Sequence, residues 1–242
     1  MLTTLGSNND LAVATVSVIG NECFPLVVID NLLPDPEQWR NRAIHSQFEI
    51  QHNGDLYPGK RATTGCAYQN AISDIIARLL ANALSRHCGA NVTILNKRIH
   101  TVYSNANAKA AELKPIQHIP HFDSLDATTW AMVHYLFEED LGGTGFFRHK
   151  RSGFESVNHE RKHKYQRMLN DDLAEFGLPQ TRFIVGDTDT FEMTHHAEAR
   201  FNRAIFYPSN VLHSGLLNEA DIASSTHSRL TGNALFTLVF GD

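Results

Sequence analysis

The first part of the chain alternates between β-branched runs and a helical pattern. Two apolar runs, at residues 11–19 and 25–30, predict strands because β-branched side chains suit the pleated surface of a sheet. Residues 35–48 then predict a helix, with Asp35 as its N-cap and Pro36 at its first position. The chain therefore begins with two strands followed by one helix.

A stretch rich in turn residues separates this helix from a second one. Residues 49–68 contain Asn-Gly and Pro-Gly pairs and predict a long loop. Over residues 69–88, isoleucine and leucine recur every three or four positions, which is typical of an amphipathic helix. Gly89 is expected to end that helix, because glycine readily adopts the left-handed conformation found at helix C-termini.

Beyond about residue 90 the pattern changes from helical to extended. Runs of β-branched and aromatic residues predict strands at residues 92–103, 128–137, 181–185, 188–193, 203–207 and 234–240. A charged segment at 158–176 predicts a helix inside a longer insertion near 147–180. With no βαβ alternation, the order of elements favours an α+β fold, mainly β with flanking helices, built on an antiparallel double-sheet barrel. We expect a single domain over residues 1–242, with about 1–90 as a strand and helix support region and about 91–242 as the barrel core.

Composition and charge narrow the classes of function. Twenty-one basic and 26 acidic residues give a net charge of −5, so no basic excess exists to hold a nucleic-acid backbone. No apolar run approaches the roughly 20 residues that span a bilayer, and the first 20 residues show no export signal. Three widely spaced cysteines form neither a metal-binding pair nor a disulfide framework. We expect a cytoplasmic protein with a small-molecule or peptidyl substrate, no nucleic-acid or membrane partner, and an oligomeric state left open, a homodimer included.

One short motif supplies candidate metal ligands. Residues 120–123 read Pro-His-Phe-Asp, and in a strand His121 and Asp123 point to the same face. His213, at the end of an apolar segment, is a candidate third ligand. Two histidines and one carboxylate form the facial triad of non-haem Fe(II) oxygenases, which leaves positions open for a co-substrate and O₂. H-x-D alone is also common in surface turns, so its sequence context matters.

The segments that accompany H-x-D resemble those of a known family. Arg229-Leu-Thr231 follows His213 by 16 residues, and the strand that ends in Tyr135-Leu-Phe lies between the two histidines. Together with H-x-D, these segments resemble the 2-oxoglutarate/Fe(II)-dependent oxygenase superfamily, most closely its prolyl-4-hydroxylase-like branch. The resemblance implies a double-stranded β-helix (jelly-roll) core and a triad that binds Fe(II). It also implies hydroxylation of an amino-acid, peptidyl or small-molecule substrate, with O₂ consumed and succinate and CO₂ released.

The resemblance also assigns residues to the co-substrate. Arg229 takes the position that holds the far carboxylate of 2-oxoglutarate, and Thr231, Tyr135 and Tyr103 take positions of hydroxyl partners. The interval between His213 and Arg229 is longer than that branch usually shows, which implies an insertion at 217–228. Arg203 and Arg98 are therefore rival anchors.

Two other classes of function remain open at this point. One is a cupin-like metal enzyme that does not use 2-oxoglutarate, and the other is a non-catalytic jelly-roll binding module. The fold does not distinguish these classes, because function belongs to the site and not to the fold. Loss of the Arg229 role would favour the cupin-like enzyme.

Several other polar residues can be interpreted as either structural or functional. His118 forms H-x-x-H with His121, but positions i and i+3 of a strand face opposite sides. The pair His195-His196 is expected in a solvated turn, with a lid over the iron as the alternative. His134 alternates with Tyr135 and is expected to pack outside the barrel. Arg61, in the segment Tyr-Pro-Gly-Lys-Arg, is either part of a plain turn or a contact for a substrate carboxylate at the barrel mouth.

Overall fold

The computed structural model describes residues 12–49, 57–94, 99–217 and 229–241. Its strands are β1 Val13–Ile19, β2 Phe24–Asp30, β3 Lys60–Thr63, β4 Asn91–Ile94, β5 His100–Ala106, β6 Thr129–Tyr135, β7 Thr144–His149, β8 Phe191–Ala197, β9 Ala204–Pro208, β10 His213–Gly215 and β11 Arg229–Gly241. Its helices are α1 Pro36–Ile44, α2 Gly65–Ile75, a π-helical turn Ile76–Leu80, α3 Ala81–Cys88 and α4 Lys162–Phe176, with short 3₁₀ turns at Ala110–Glu112 and Pro115–His118. The protein is mainly β with flanking helices.

Two antiparallel sheets form the double-stranded β-helix (jelly-roll) core. The larger sheet has the order β1-β2-β9-β6-β11-β5-β3, and β4 pairs with the far end of β11. The smaller sheet has the order β10-β7-β8, and a bridge between His121 and His213 adds the H-x-D segment beside β10. The expected antiparallel double-sheet architecture is therefore confirmed.

Apolar side chains bury both faces of the larger sheet. On its outer face, Ile72, Ile76 and Leu80 of the α2–α3 helical stretch pack with Met132 and other sheet residues. Between the sheets, Tyr135 packs among aromatic and aliphatic residues of β7 and β9. Because side chains of β6 alternate, Met132 faces the helices and Tyr135 faces the barrel interior.

His134 occupies the outer face of the larger sheet, as expected, but the helices cover it completely. Its Nδ1 lies 3.0 Å from the Tyr68 hydroxyl, and its Nε2 lies 3.2 Å from Oδ1 of Asn202. Burial lowers the pKa of His134 from 6.5 to about 4. This histidine is therefore a neutral, hydrogen-bonded member of the core.

The helical expectations are confirmed in type and corrected at their ends. Helix α1 stops at Ile44, and Asp35 has a left-handed backbone with φ of 49° and no side-chain cap. The second helical stretch begins at Gly65, earlier than the apolar periodicity indicates, and ends at Gly89 with φ of 67°. The expected loop 49–68 contains strand β3, whose four largely polar residues lack a strand pattern but pair with β5.

The strand expectations need more correction. The run 92–103 contains two strands, β4 and β5, and residues 95–98 lie outside the described part. Residues 181–185 form no strand, yet Phe183 and Ile184 are buried, because their apolar side chains pack in an irregular segment. The run expected at 188–193 begins instead at Phe191 and continues to Ala197 as β8. The charged segment does hold a helix, α4.

No helix among the described residues is long and apolar enough to cross a membrane.

Candidate metal centre

Backbone pairing brings the three predicted ligands together. The amide of His121 donates to the carbonyl of His213 at 2.9 Å, and the amide of His213 donates back at 2.8 Å. The amide of Asp123 donates to the carbonyl of Ser209 at 2.8 Å. The H-x-D segment is therefore held by an isolated bridge and not by a regular strand, and it converges on His213.

The side-chain geometry fits a single ion. One ligand atom from each of His121, Asp123 and His213 lies within 4.8 Å of the others. Nε2 of His213 is 3.5 Å from Oδ2 of Asp123, and Nε2 of His121 is 3.8 Å from Oδ1. Nδ1 of His213 lies 2.9 Å from the carbonyl of Val211, an arrangement that orients the ring and leaves Nε2 for a metal.

Electrostatics favour the metal-binding form of the cluster. Burial, helped by the adjacent His213, lowers the pKa of His121 from 6.5 to about 4. His121 is therefore neutral near pH 7, and a neutral imidazole has the lone pair that a metal ion requires.

Arg229 lies in the same cavity and is buried, with 4% of its surface exposed. Its Nη2 donates to the carbonyl of Gly143 at 2.9 Å, and its Nε donates weakly to that of Gly142 at 3.4 Å. The rings of Tyr135 and Phe137 lie 5.9 and 5.6 Å from its guanidinium carbon. Among the described residues, no carboxylate forms an ion pair with this guanidinium.

The carbonyls that hold Arg229 come from a turn that requires glycine. Gly142 has φ of +79°, and a Cβ there would lie 1.7 Å from the carbonyl oxygen of Leu216. A Cβ on Gly143 would lie 2.0 Å from the carbonyl oxygen of Ala197. Only residues without side chains allow the backbone to approach this closely.

Hydroxyl groups surround the guanidinium. The Tyr135 hydroxyl lies 2.9 Å from Oγ1 of Thr144, and Thr231 pairs directly opposite Tyr135 in the sheet. Burial raises the pKa of Tyr57, and the nearby charge of Arg229 and the hydroxyls of Thr231 and Ser104 oppose that rise. Sequence reasoning missed Tyr57, although it stands in the turn motif that contains Arg61.

The cavity that these residues line has a volume of about 170 Å³. Its walls include polar residues from separate parts of the chain, among them Tyr57, Arg61, His121, Asp123, His213, Arg229 and Thr231. All of these except Tyr57 were predicted from the sequence. The other polar residues of the walls were not predicted: His100, Gln117, Thr144, Tyr207, Ser214 and Asn233. One small chamber thus contains a three-ligand cluster, two cationic side chains and several hydroxyl groups.

Tyr103 is not part of this chamber. It stands on β5 opposite Gly232 and faces the helices, where its ring lies 5.1 Å from that of Tyr68. The alternation of β5 places its neighbours Val102 and Ser104 on the cavity side instead. The expected contact between Tyr103 and 2-oxoglutarate is corrected on this ground.

Arg203, one of the two rival anchors, and the other candidate histidines lie away from this cavity. Arg203 makes two hydrogen bonds to Asp30, at 2.7 and 3.0 Å, and Arg98 lies outside the described residues, as do residues 218–228. Nδ1 of His118 lies 3.0 Å from the carbonyl of Arg182. His195-His196 belongs to strand β8, so its expected placement in a turn is wrong.

Solved structures share this fold at low identity. HygX from Streptomyces hygroscopicus, solved with nickel, 2-oxoglutarate and hygromycin B, is 10% identical, with a TM-score of 0.46 over 88% of this chain and 82% of that one. An N-substituted L-amino acid dioxygenase from Burkholderia ambifaria is 10% identical, with a TM-score of 0.43 over 96% and 98%. The α-ketoglutarate-dependent epimerase SnoN of nogalamycin biosynthesis is 11% identical, with a TM-score of 0.46 over 90% and 81%. These are similarities of fold alone.

Among curated proteins, none matches the chain. A family model does match residues 11–236, which is nearly the whole sequence. The chain therefore belongs to a family of unknown function, DUF6445.

Proposed function

We propose that this protein is a 2-oxoglutarate- and Fe(II)-dependent oxygenase that hydroxylates an amino-acid, peptidyl or small-molecule substrate. The observation that carries the proposal is Arg229, a buried cation without an acidic partner among the described residues, in the cavity of the His-Asp-His cluster. An uncompensated buried charge is costly, and an anionic ligand would remove that cost. Assignment to the prolyl-4-hydroxylase-like branch rests on the sequence motifs and stays a prediction.

The residues of the cluster fit Fe(II). His121 and His213 offer neutral nitrogens and Asp123 offers a carboxylate, which is the donor set of non-haem iron oxygenases. Iron held there would supply the oxygen chemistry that converts 2-oxoglutarate and O₂ to succinate, CO₂ and a hydroxylated substrate.

The cavity supports the co-substrate through charge and hydroxyl groups. The planar guanidinium of Arg229 suits two parallel hydrogen bonds to the far carboxylate of 2-oxoglutarate. Thr231 and Tyr57 line the cavity and would supply neutral hydrogen bonds from their hydroxyls. Tyr135 was also predicted as a hydroxyl partner, but it is not among the residues that line the cavity; its hydroxyl pairs with Thr144 and its ring contacts the guanidinium. Because this end of the cavity is buried, water is excluded and the charge pair is strengthened.

Arg61 is the proposed contact for a substrate carboxylate. It lines the cavity and lies 4.9 Å from the centre of the Tyr57 ring, and its charge helps lower the pKa of His121. It enters the cavity from β3, at the edge of the larger sheet, whereas Arg229 enters from a central strand. The two arginines would therefore serve separate anions.

The test removes one ligand at a time. We expect His121→Ala, Asp123→Ala and His213→Ala each to abolish iron binding, measured by metal analysis, and succinate formation, because a three-ligand site cannot easily spare one. His196→Ala is the matched control, since His196 is exposed and lies outside the cavity. Wild-type iron content and succinate formation in any of the three variants would remove that residue from the proposed site.

A further inference from the structure

A second cavity of about 590 Å³ lies between α4 and the segment that follows it. Its walls are mainly apolar and include Ile116, Leu169, Leu173, Phe176, Leu178 and Phe183. Small-molecule sites typically enclose about 300–1,000 Å³ with apolar walls. The second cavity therefore has the size and lining of a site for an organic ligand.

Large apolar side chains are unusually exposed at this cavity. Ile116, Leu173, Phe176 and Leu178 are 47, 38, 49 and 72% exposed, and all four line it. Single exposed apolar residues are common, but a contiguous group around a concave surface marks a binding site.

The charged groups in its walls are either paired or exposed to solvent. Asp172 is buried and held by His149, at 2.5 Å, and by Arg151. The carboxylate of Asp187 accepts the amide of Met193 at 2.7 Å, and Arg182 and Asp189 are exposed. The buried acid of the walls, Asp172, is therefore already paired, which favours an uncharged ligand.

The second cavity adjoins the metal centre. Ile116, Phe183 and Ile184 line both cavities, so one layer of side chains separates them. Phe183 and Ile184 are buried, whereas Ile116 is exposed, so this shared layer reaches the solvent at Ile116. The hydrogen bond from His118 to the carbonyl of Arg182 holds the backbone next to Phe183 in this shared layer.

We propose that this second cavity binds the uncharged, apolar body of the substrate, a ring system or alkyl chain, and so presents an adjoining carbon to the metal centre. The presentation of a substrate carbon to the metal centre rests on the proposed function. Binding of an apolar molecule in the cavity is independent of that function.

The binding test uses N-phenyl-1-naphthylamine, an uncharged fluorescent probe, titrated into the whole protein. We expect saturable binding to the wild type and a loss of affinity of about tenfold or more in Leu173→Ser/Phe176→Ser, because two apolar walls are removed. Val18→Ser/Phe240→Ser is the matched control, since Val18 and Phe240 are exposed apolar residues that do not line this cavity. All four substituted positions are exposed, so both proteins are expected to fold, which unfolding curves will check.

Three results would overturn the inference. The first is unchanged probe affinity in the cavity variant, and the second is an equal loss in the control variant. The third is a wild-type dimer that the cavity variant converts to monomer, because a second copy of the chain would then be the occupant.

A second measurement tests the connection with the metal. Bound Mn(II) should increase the proton relaxation rate of the bound probe in the wild type, and Asp123→Ala should abolish that effect. Mn(II) binding without enhanced probe relaxation would overturn the link between the cavities. Failure of Mn(II) and 2-oxoglutarate to bind at all would contradict the proposed function instead, and the fluorescence titration would still decide whether the cavity takes an apolar ligand.

Discussion

Replacement of Arg229 by alanine should separate co-substrate binding from protein stability. The guanidinium is 4% exposed and contacts two backbone carbonyls and two aromatic rings, but no carboxylate among the described residues. Its removal deletes a buried charge that no acidic side chain among the described residues neutralises. We therefore expect Arg229→Ala to leave the free energy of unfolding of the ligand-free protein nearly unchanged.

The effect on 2-oxoglutarate should be large. Truncation of one partner of a buried, hydrogen-bonded charge pair commonly costs about 2–5 kcal/mol. Even the lower figure corresponds to a rise in Kd of roughly thirtyfold. Arg229→Lys retains the charge but loses the planar pair of donors, so its Kd should lie between those of the wild type and the alanine variant.

Ligand-induced stabilisation provides the assay. In Mn(II)-loaded wild type, 2-oxoglutarate at about 100 times its Kd should raise the free energy of unfolding by about 2.7 kcal/mol. The same concentration should stabilise Arg229→Ala by well under half of that. Arg203→Ala is the control, because it breaks the pair with Asp30 and should lower stability while 2-oxoglutarate still binds.

A wild-type response to 2-oxoglutarate in Arg229→Ala would refute the reasoning. In that case the cupin-like alternative, a metal enzyme without this co-substrate, would describe the cavity better. The comparison requires equal Mn(II) content in both proteins, which is expected because Arg229 is not one of the proposed metal ligands.

Two further predictions concern the fold that supports the site. The pKa of His134 falls from 6.5 to about 4 on folding, so acid protonates the unfolded state first and favours unfolding. The contribution of His134 to the free energy of unfolding is complete above pH 6.5 and falls by up to about 3 kcal/mol as the pH drops toward 4. In urea titrations His134→Gln should weaken this pH dependence, and an unchanged slope would contradict the assignment. Gly142→Ala should destabilise the protein by more than about 2 kcal/mol, because its Cβ would meet a carbonyl at 1.7 Å. Gly153→Ala shares the positive φ but has open space, so equal losses in the two variants would refute the role of close approach.

The convergence of His121, Asp123 and His213 was predictable from the sequence because its signal is local. H-x-D needs only two side chains on one side of an extended segment, and His213 follows a recognisable apolar strand. The structure brings the three side chains together through an isolated bridge between His121 and His213 and a hydrogen bond from the amide of Asp123, not through a regular strand. Their role as metal ligands stays a prediction.

The side of the cavity around Arg229 was less predictable because it depends on the register of strand pairing. Whether Tyr103 or Ser104 faces the cavity is decided by how β5 pairs with β11. A shift of one residue in that pairing moves every side chain of the strand to the other face of the sheet. Tyr57 reaches the cavity through the pairing of β3, a strand too short and polar to show in the pattern. Phe183 illustrates a different limit, because an apolar residue in a run indicates burial without indicating a strand.

The paired backbone hydrogen bonds between His121 and His213 join positions 92 residues apart in the chain. An ion bound between these side chains would act as a removable cross-link that closes a long loop. Because the unfolded chain has no preformed site, the ion would bind the folded protein alone and stabilise it by an amount that rises with the metal concentration. The iron concentration would then affect the stability of the protein as well as the proposed activity, because the metal-free chain loses this stabilisation.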